Sequence, residues 1–177
     1  MKSRREVIVI GAGAAGLMAA GRAAELGAHV LLLEKMGEAG KKILVSGQER
    51  CNVTNAAPLE TFLTAYGRNG AFLRNAFHRF FRDELLALLR RYGVETQVER
   101  GGRLFPASGR AADVRDALVR YATEQGATIR YRVAVQQILV DQDSVTGVRS
   151  VGGETLPADA VILTTGGASW TGTGSTG

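Results

Sequence analysis

Six residues near the start of the chain carry the first chemistry: Gly11-Ala12-Gly13-Ala14-Ala15-Gly16. In a turn between a strand and a helix, the first glycine permits the tight bend and the second lets a pyrophosphate approach the backbone. The third lets the helix pack closely on the strand. The helix start then offers free N–H groups and partial positive charge to phosphate. An acidic residue, Glu34, stands 21 positions beyond Gly13. A carboxylate there accepts hydrogen bonds from ribose hydroxyls and repels a 2′-phosphate, which disfavours NADP. The same geometry serves NAD, FAD or S-adenosylmethionine. Methyltransferases usually carry an acidic residue just ahead of the glycines, where this chain has Ile10, so that reading is the weakest of the three. A glycine-rich turn with no ligand is the plain alternative.

The elements that must position these residues follow from hydrophobic pattern. Residues 7–10 are all β-branched, as in a strand buried on both faces of a parallel sheet. A helix through about Leu26 follows, with Ala15, Gly16, Ala19, Ala20 and Ala23 on its packing side, and Gly27 as its stop. His29–Glu34 reads as a second buried strand, completing a βαβ unit. From 36 to 55 the chain is polar and irregular apart from Ile43-Leu44-Val45. Helices are expected near 71–80 and 82–92, the latter with Leu85, Leu86, Leu88 and Leu89 in a buried stripe. Segments 94–99 and 103–105 form a hairpin around Gly101-Gly102. Residues 111–125 form an amphipathic helix with Val114, Leu118, Tyr121 and Ala122 on one face, and Thr128–Tyr131 returns to the sheet. Segments 133–141, 145–151 and 154–156 read as an antiparallel meander. Ala160–Leu163 is a further buried strand, ending at Thr164-Thr165-Gly166-Gly167.

Composition narrows the class. With 45% hydrophobic and 22% charged residues in 177, the chain has a globular balance and room for one ordinary domain. Its 23 glycines are about 13%, nearly twice the usual ~7%, yet no Gly-X-Y period accompanies them. One cysteine and two histidines build neither an internal disulfide nor a common four-ligand zinc site, so no metal is expected. A reducing, cytoplasmic setting fits. The start, with Arg4 and Arg5 ahead of an uncharged stretch, has the outline of a secretory signal, but glycines at 11, 13 and 16 break the apolar run. That stretch is too short and glycine-rich to span a bilayer. The net charge is +5, with 18 arginines. Along 74–91 the arginines alternate with acidic and apolar residues at helical spacing, which favours a solvated helix face over nucleic acid or membrane as partner.

Several further residues carry reactive or charged groups. Lys41 and Lys42 could attract phosphate or sit in a solvated turn. Arg50 could reach a cofactor or pair with Glu49 or Glu38. Cys51 lacks the second cysteine that a disulfide-reductase couple requires, so it reads as a small packing residue beside a cofactor. His78, among Phe77, Phe80 and Phe81, reads as a helix-face residue, and Trp170 could stack or pack.

Taken in order, the chain resembles FAD domains of the glutathione-reductase type: an α/β, Rossmann-like fold in which a parallel sheet with helices carries a three-stranded antiparallel β-meander. More narrowly it is similar to the BaiN-like (YhiN-type) NAD(P)/FAD-dependent flavoprotein oxidoreductases, and to their N-terminal FAD-binding portion. The resemblance lies in Gly40-Lys-Lys-Ile-Leu-Val-Ser-Gly47, Arg50-Cys-Asn-Val-Thr-Asn55, and Gly102-Arg-Leu-Phe-Pro-Ala-Ser108 with Ala112-Asp-Val114. It continues in Thr164-Thr-Gly-Gly-Ala-Ser169 with Thr173-Gly-Ser-Thr-Gly177, and so covers essentially the whole chain.

The resemblance implies noncovalent FAD and two-electron chemistry. Carried over, Gly11, Gly13, Ala14, Ala15 and Gly16 would hold the pyrophosphate and Glu34 the adenosine ribose, with Lys35 and Lys42 in the cofactor-binding set. The backbone of Val135 would meet the adenine. Ser46, Gly47, Arg50, Cys51 and Asn52 would run along the pyrophosphate towards the flavin, and Thr165, Gly166 and Gly167 would close over the cofactor. Where the family often has Gly-Gly, this chain has Gln48-Glu49. Family members are about twice as long, so the expectation is an incomplete FAD-binding domain. Its substrate domain and C-terminal FAD segment would be absent, and no catalytic residue is assignable. The substrate is then a small molecule met by the complete enzyme, with NAD(P)H a candidate electron donor. A homodimer or a complementing C-terminal chain would cover the open sheet edge. Two alternatives remain: a non-catalytic half that needs a partner chain, and an NAD-binding dehydrogenase domain, which the meander disfavours.

Overall fold

A computed structural model describes residues 4–175; the first three residues of the basic start and the last two of the 173–177 motif lie outside them. The elements run in chain order as β1 (Glu6–Ile10), α1 (Ala14–Glu25), β2 (His29–Glu34) and α2 (Lys41–Val45). Then come β3 (Thr54–Asn55), α3 (Leu59–Thr64), α4 (Gly70–Arg79), α5 (Arg82–Arg91), β4 (Thr96–Glu99) and β5 (Arg103–Pro106). The chain ends with α6 (Ala111–Glu124), β6 (Thr128–Tyr131), β7 (Val135–Asp141), β8 (Ser144–Ser150), β9 (Thr155–Pro157) and β10 (Ala160–Leu163). They divide into two compact units, one from the segments before Leu44 and after Ala117, the other Leu44–Ala117.

The first unit is built on a parallel sheet in the order β10-β1-β2-β6. Central β1 is closed to water from Val7 to Ile10, as its β-branched run requires, and Val30, Leu32 and Leu33 of β2 are equally buried. Each such side chain contributes roughly 1.5–3 kcal/mol by leaving water. The antiparallel meander β7-β8-β9 lies against this sheet: Val148 and Ala158 join Ile8, Ile10 and Leu33 in one cluster, flanked by Val133, Val135, Ile138 and Leu156. Helix α1 packs through Gly16, Leu17, Ala20, Gly21 and Ala24. Ala15 is exposed, and Ala19 and Ala23 are half-buried. The packing phase is thus set one step along from the expected one, by residues 16, 20 and 24 in register with 17 and 21.

Strand β10 was expected to be buried. It is instead half-buried, with Leu163 61% exposed, because β1 is its only strand partner among the described residues. At its end the backbones come very close. Gly11 has φ +100°, and a Cβ there would meet the Thr164 carbonyl oxygen at 2.8 Å. A Cβ on Gly16 would lie 1.8 Å from the Gly11 carbonyl oxygen. The Thr164 hydroxyl donates to the carbonyls of Ile10 and Gly11 at 2.8 and 2.9 Å.

In the second unit β5 pairs antiparallel with both β3 and β4, which gives the expected hairpin and adds a short strand at 54–55. Helix α3, absent from the sequence expectation, has its signal in Pro58 just ahead and Glu60 in its first turn. Ile43-Leu44-Val45, the run set apart from the irregular stretch, lies in the short helix α2. Of the leucine stripe on α5 only Leu89 is fully buried; Leu85, Leu86 and Leu88 are half-buried. Aromatic rings carry the packing here. Phe62 meets Phe77 and Phe81 edge-on at 5.5 and 5.1 Å between centroids. No helix among the described residues is long and apolar enough to cross a membrane.

The close approach at Gly16 makes a sharp expectation. Gly16→Ala should cost about 3 kcal/mol or more in urea unfolding, because backbone must move. Gly13→Ala, whose Cβ meets nothing within 4 Å, should stay within about 1 kcal/mol of the parent chain.

Candidate functional site

In the first unit the ends of β1, β2 and β10 open onto one cleft of about 360 Å³. Gly11, Gly13, Glu34, Lys35, Lys42, Val135, Thr165 and Gly166 all line it, so eight of the residues singled out from the sequence come together. Gly13 caps α1 with no side-chain hydrogen bond, and the first turn of the helix holds no acidic residue. No side chain of the helix's own first turn therefore compensates its positive end, which leaves it able to meet an anion. A Cβ on Gly13 would meet nothing within 4 Å. A pyrophosphate fits that cradle, and the carboxylate-bearing end of β2 on the same cleft fits a ribose.

Glu34 is 9% exposed, and its carboxylate is doubly anchored. One oxygen accepts from the Ala12 N–H and the other from the Met36 N–H, each at 2.8 Å. It thereby links the glycine turn to the loop after β2. The Gly11 N–H is spent on the Leu33 carbonyl, so the donors left for a phosphate begin at Gly13 and the first turn of α1. A carboxylate oxygen has a second lone pair for a ribose hydroxyl.

Ala14, Ala15, Gly16 and Gly167 are not in the cleft lining. Ala14 and Ala15 are exposed at the start of α1, and Gly16 is taken up in the contact with Gly11 and Thr164. The turn after β10 is held by Ser175, whose hydroxyl donates to the carbonyls of Thr165, at 2.9 Å, and Gly167. Ser175 also lines the cleft, with Val133, Ala134, Thr173 and Gly174. Sequence reasoning assigned none of these a role, although the Thr173-Gly-Ser motif was the available signal. Thr164 was missed likewise.

Ser46, Gly47, Arg50, Cys51 and Asn52 fall in the second unit. Arg50 donates to Glu99 through both terminal guanidinium nitrogens, one contact at 3.2 Å. The guanidinium also stands over the Phe105 ring at 4.5 Å from its centroid. Its acidic partner is thus Glu99 rather than Glu49 or Glu38, and the hydrogen bond holds the Glu99 carboxyl below the usual range. The run around it is left-handed: Gln48, Glu49 and Cys51 have φ of 57°, 65° and 59°. Cys51 is buried, and that burial pushes its thiol pKa up against a hydrogen bond with Ser46 that lowers it. A protonated, covered thiol suits packing, not redox attack. His78 and Trp170 are exposed, Trp170 by 74%. Among the described residues no group of three His, Cys, Asp or Glu side chains is placed to hold a metal.

Two measurements follow from the second unit. A non-glycine residue in the left-handed region costs about 1–2 kcal/mol, and glycine's chain entropy offsets up to about 1 of that. The double change Gln48→Gly with Glu49→Gly should therefore raise stability by about 1 kcal/mol in urea unfolding. For Cys51, the unfolded chain loses its proton near the ordinary thiol value, about 8.5, while the folded chain keeps it. Stability should then fall as pH rises through that value towards the raised native one, by at most about 1.4 kcal/mol per pH unit. Cys51→Ala should flatten this decline.

Comparison with known proteins agrees with this geometry. Residues 5–177 match the family HI0933-like protein Rossmann domain. Over 97% of its length the chain is 32% identical to the ribosomal RNA dihydrouridine synthase of Escherichia coli, covering 42% of that protein. Over 96% it is 35% identical to the 3-dehydro-bile acid delta(4,6)-reductase of Clostridium scindens, covering 41% of it. The chain thus spans about two fifths of the length of these curated relatives. Its fold is like that of the FrdA chain of E. coli quinol fumarate reductase, with a TM-score of 0.70 at 19% identity, over 94% of this chain and 33% of that one. The chain belongs to the HI0933-like Rossmann-domain family, the FAD-binding domain of flavoprotein oxidoreductases.

Proposed function

We propose that this chain holds FAD for the two-electron reduction of a carbon–carbon double bond in a small unsaturated substrate. The observation that carries the cofactor half is the cradle at Gly13, open in front and backed by an uncapped helix start, on a cleft that also presents Glu34. The reaction half is supported by the names of two relatives, a ribosomal RNA dihydrouridine synthase and a 3-dehydro-bile acid delta(4,6)-reductase; both describe saturation of a double bond, and the second does so in a small molecule.

Bound FAD supplies hydride chemistry, with NAD(P)H as the candidate donor. The residues of this chain bind and orient. Gly13 and the first turn of α1, with Ala14 and Ala15, receive the pyrophosphate. Glu34 accepts from ribose hydroxyls while its backbone hydrogen bonds hold it still. Lys35 and Lys42 add positive charge at the cleft wall, and the backbone at Val135 flanks the adenine. Thr165, Gly166 and Gly167, steadied by Ser175, form the edge under which the cofactor passes. Ser46, Gly47, Arg50, Cys51 and Asn52 of the second unit stay in the proposed cofactor-binding set through the family resemblance alone. The substrate domain and a closing FAD segment come from residues outside these 177, or from a complementing chain or second copy that pairs with the open edge of β10 or β6. A cytoplasmic location goes with a single buried, unpaired thiol.

The test is flavin absorbance after mixing with FAD and desalting. The parent chain is expected to retain the flavin bands. Gly13→Leu, whose side chain enters open space, is expected to unfold at the same urea concentration and to bind FAD at least tenfold more weakly. Equal retention by the two would remove the pyrophosphate from Gly13. Retention of NAD in place of FAD would turn the assignment to a nicotinamide enzyme.

A further inference from the structure

Between residues 61 and 82 the chain has four arginines, no carboxylate, and five of its six phenylalanines. Most of these groups are occupied. Arg74 pairs with Glu60 at 2.6 Å. Arg82 donates to the carbonyls of Ala56 and Ala57 and to Asp83. Phe62, Phe77 and Phe81 pack on one another. Phe80, 38% exposed, follows the end of α4; the other three left over are Arg68, Phe72 and Arg79.

These three share one face. The 3₁₀ turn Gly67–Asn69 runs directly into α4, with Asn69 and Gly70 both helical. Positions 68, 72, 75 and 79 are spaced by four, three and four residues, and so form a single stripe. The opposite side of α4 faces inward at Gly70, where a Cβ would strike the Leu63 carbonyl oxygen at 2.2 Å. On the outer stripe Phe72 is 88% exposed, and Arg68, Asn75 and Arg79 are exposed too. Among the described residues neither arginine meets a carboxylate or another hydrogen-bond partner. At 1.5 Å rise per residue, Arg68 lies about 6 Å and Arg79 about 10 Å along the axis from Phe72.

We propose that the outer face of α4 binds single-stranded nucleic acid, with a base stacked on Phe72 and flanking phosphates on Arg68 and Arg79. An exposed ring between two unpaired guanidinium groups matches the alternation of flat base and anionic phosphate, and Asn75 adds a donor and an acceptor beside it. An acidic protein surface would answer the arginines but leave the ring in water. Arg74, Arg82 and Arg90 have acidic partners, whereas the exposed Arg79 of the same stretch, and Arg68 ahead of it, keep their charge open to an anion. The proposal uses no flavin, so its failure and that of the FAD reading are separable.

The test is fluorescence anisotropy of a labelled twelve-residue oligouridylate across a salt series. The parent chain is expected to bind. Phe72→Ala is expected to weaken binding about tenfold with the salt slope unchanged. Arg68→Ala and Arg79→Ala are each expected to lower the slope by about 0.7, one phosphate contact. All three sites are exposed, and matching urea midpoints would show that the variants are folded. No binding by the parent chain at low salt, or Phe72→Ala binding as well as the parent, would overturn the proposal. Phe72-dependent binding to phosphatidylserine vesicles without oligouridylate binding would overturn it in favour of a membrane surface.

Discussion

Three stretches of backbone meet within contact distance where β1 and β10 end, and the rest of the structure depends on that meeting. A strand must turn sharply into a helix, the helix must lie down on the strand, and a second strand from the far end of the sequence must arrive beside both. Side chains would hold them apart. Gly11 and Gly16 supply the missing volume, and the Thr164 hydroxyl closes the gap by donating to the carbonyls of Ile10 and Gly11. Because α1 starts at this point, the same closeness aims its free N–H groups at the cleft. The packing and the direction of those N–H groups are thus consequences of one steric constraint.

Glu34 extends that constraint sideways. Its carboxylate joins the glycine turn to the loop after β2 through two backbone N–H groups, while lying in the lining of the same cleft. A buried carboxylate with two charge-assisted hydrogen bonds is a rigid acceptor, so the group suited to ribose is held in place before any ligand arrives. These contacts leave each oxygen a lone pair beyond the one its backbone partner uses. The Ser175 hydroxyl does the corresponding work for the turn after β10.

The second unit is held by other means. Its centre is a set of edge-packed phenylalanine rings rather than an aliphatic sheet core, and the charge of Arg50 is settled locally by Glu99 and the face of Phe105. Its chain around residues 48–51 runs through left-handed backbone without glycine at three positions. That conformation is a cost the surrounding structure must carry.

The nucleotide-binding character was legible because it rests on short-range pattern. A β-branched strand, three spaced glycines and an acidic residue at the next strand end can be read along the chain, and so can the meander and the Thr-Thr-Gly-Gly turn. Helix phase was legible only to within a step, since Ala15 and Gly16 are equally small and only packing decides which faces inward. The aromatic centre of the second unit was obscured by a leucine pattern that looked stronger. Local sequence determined the elements, the glycine turn and the acid at Glu34, because backbone conformation and strand burial are set within a few residues. Only the tertiary structure decided that Thr164 clamps the turn, that Ser175 braces the far wall and that Arg50 pairs with Glu99. These partners are separated by between 8 and 154 residues, and contacts over most of that range exist only once the sheet and hairpin have brought distant segments together.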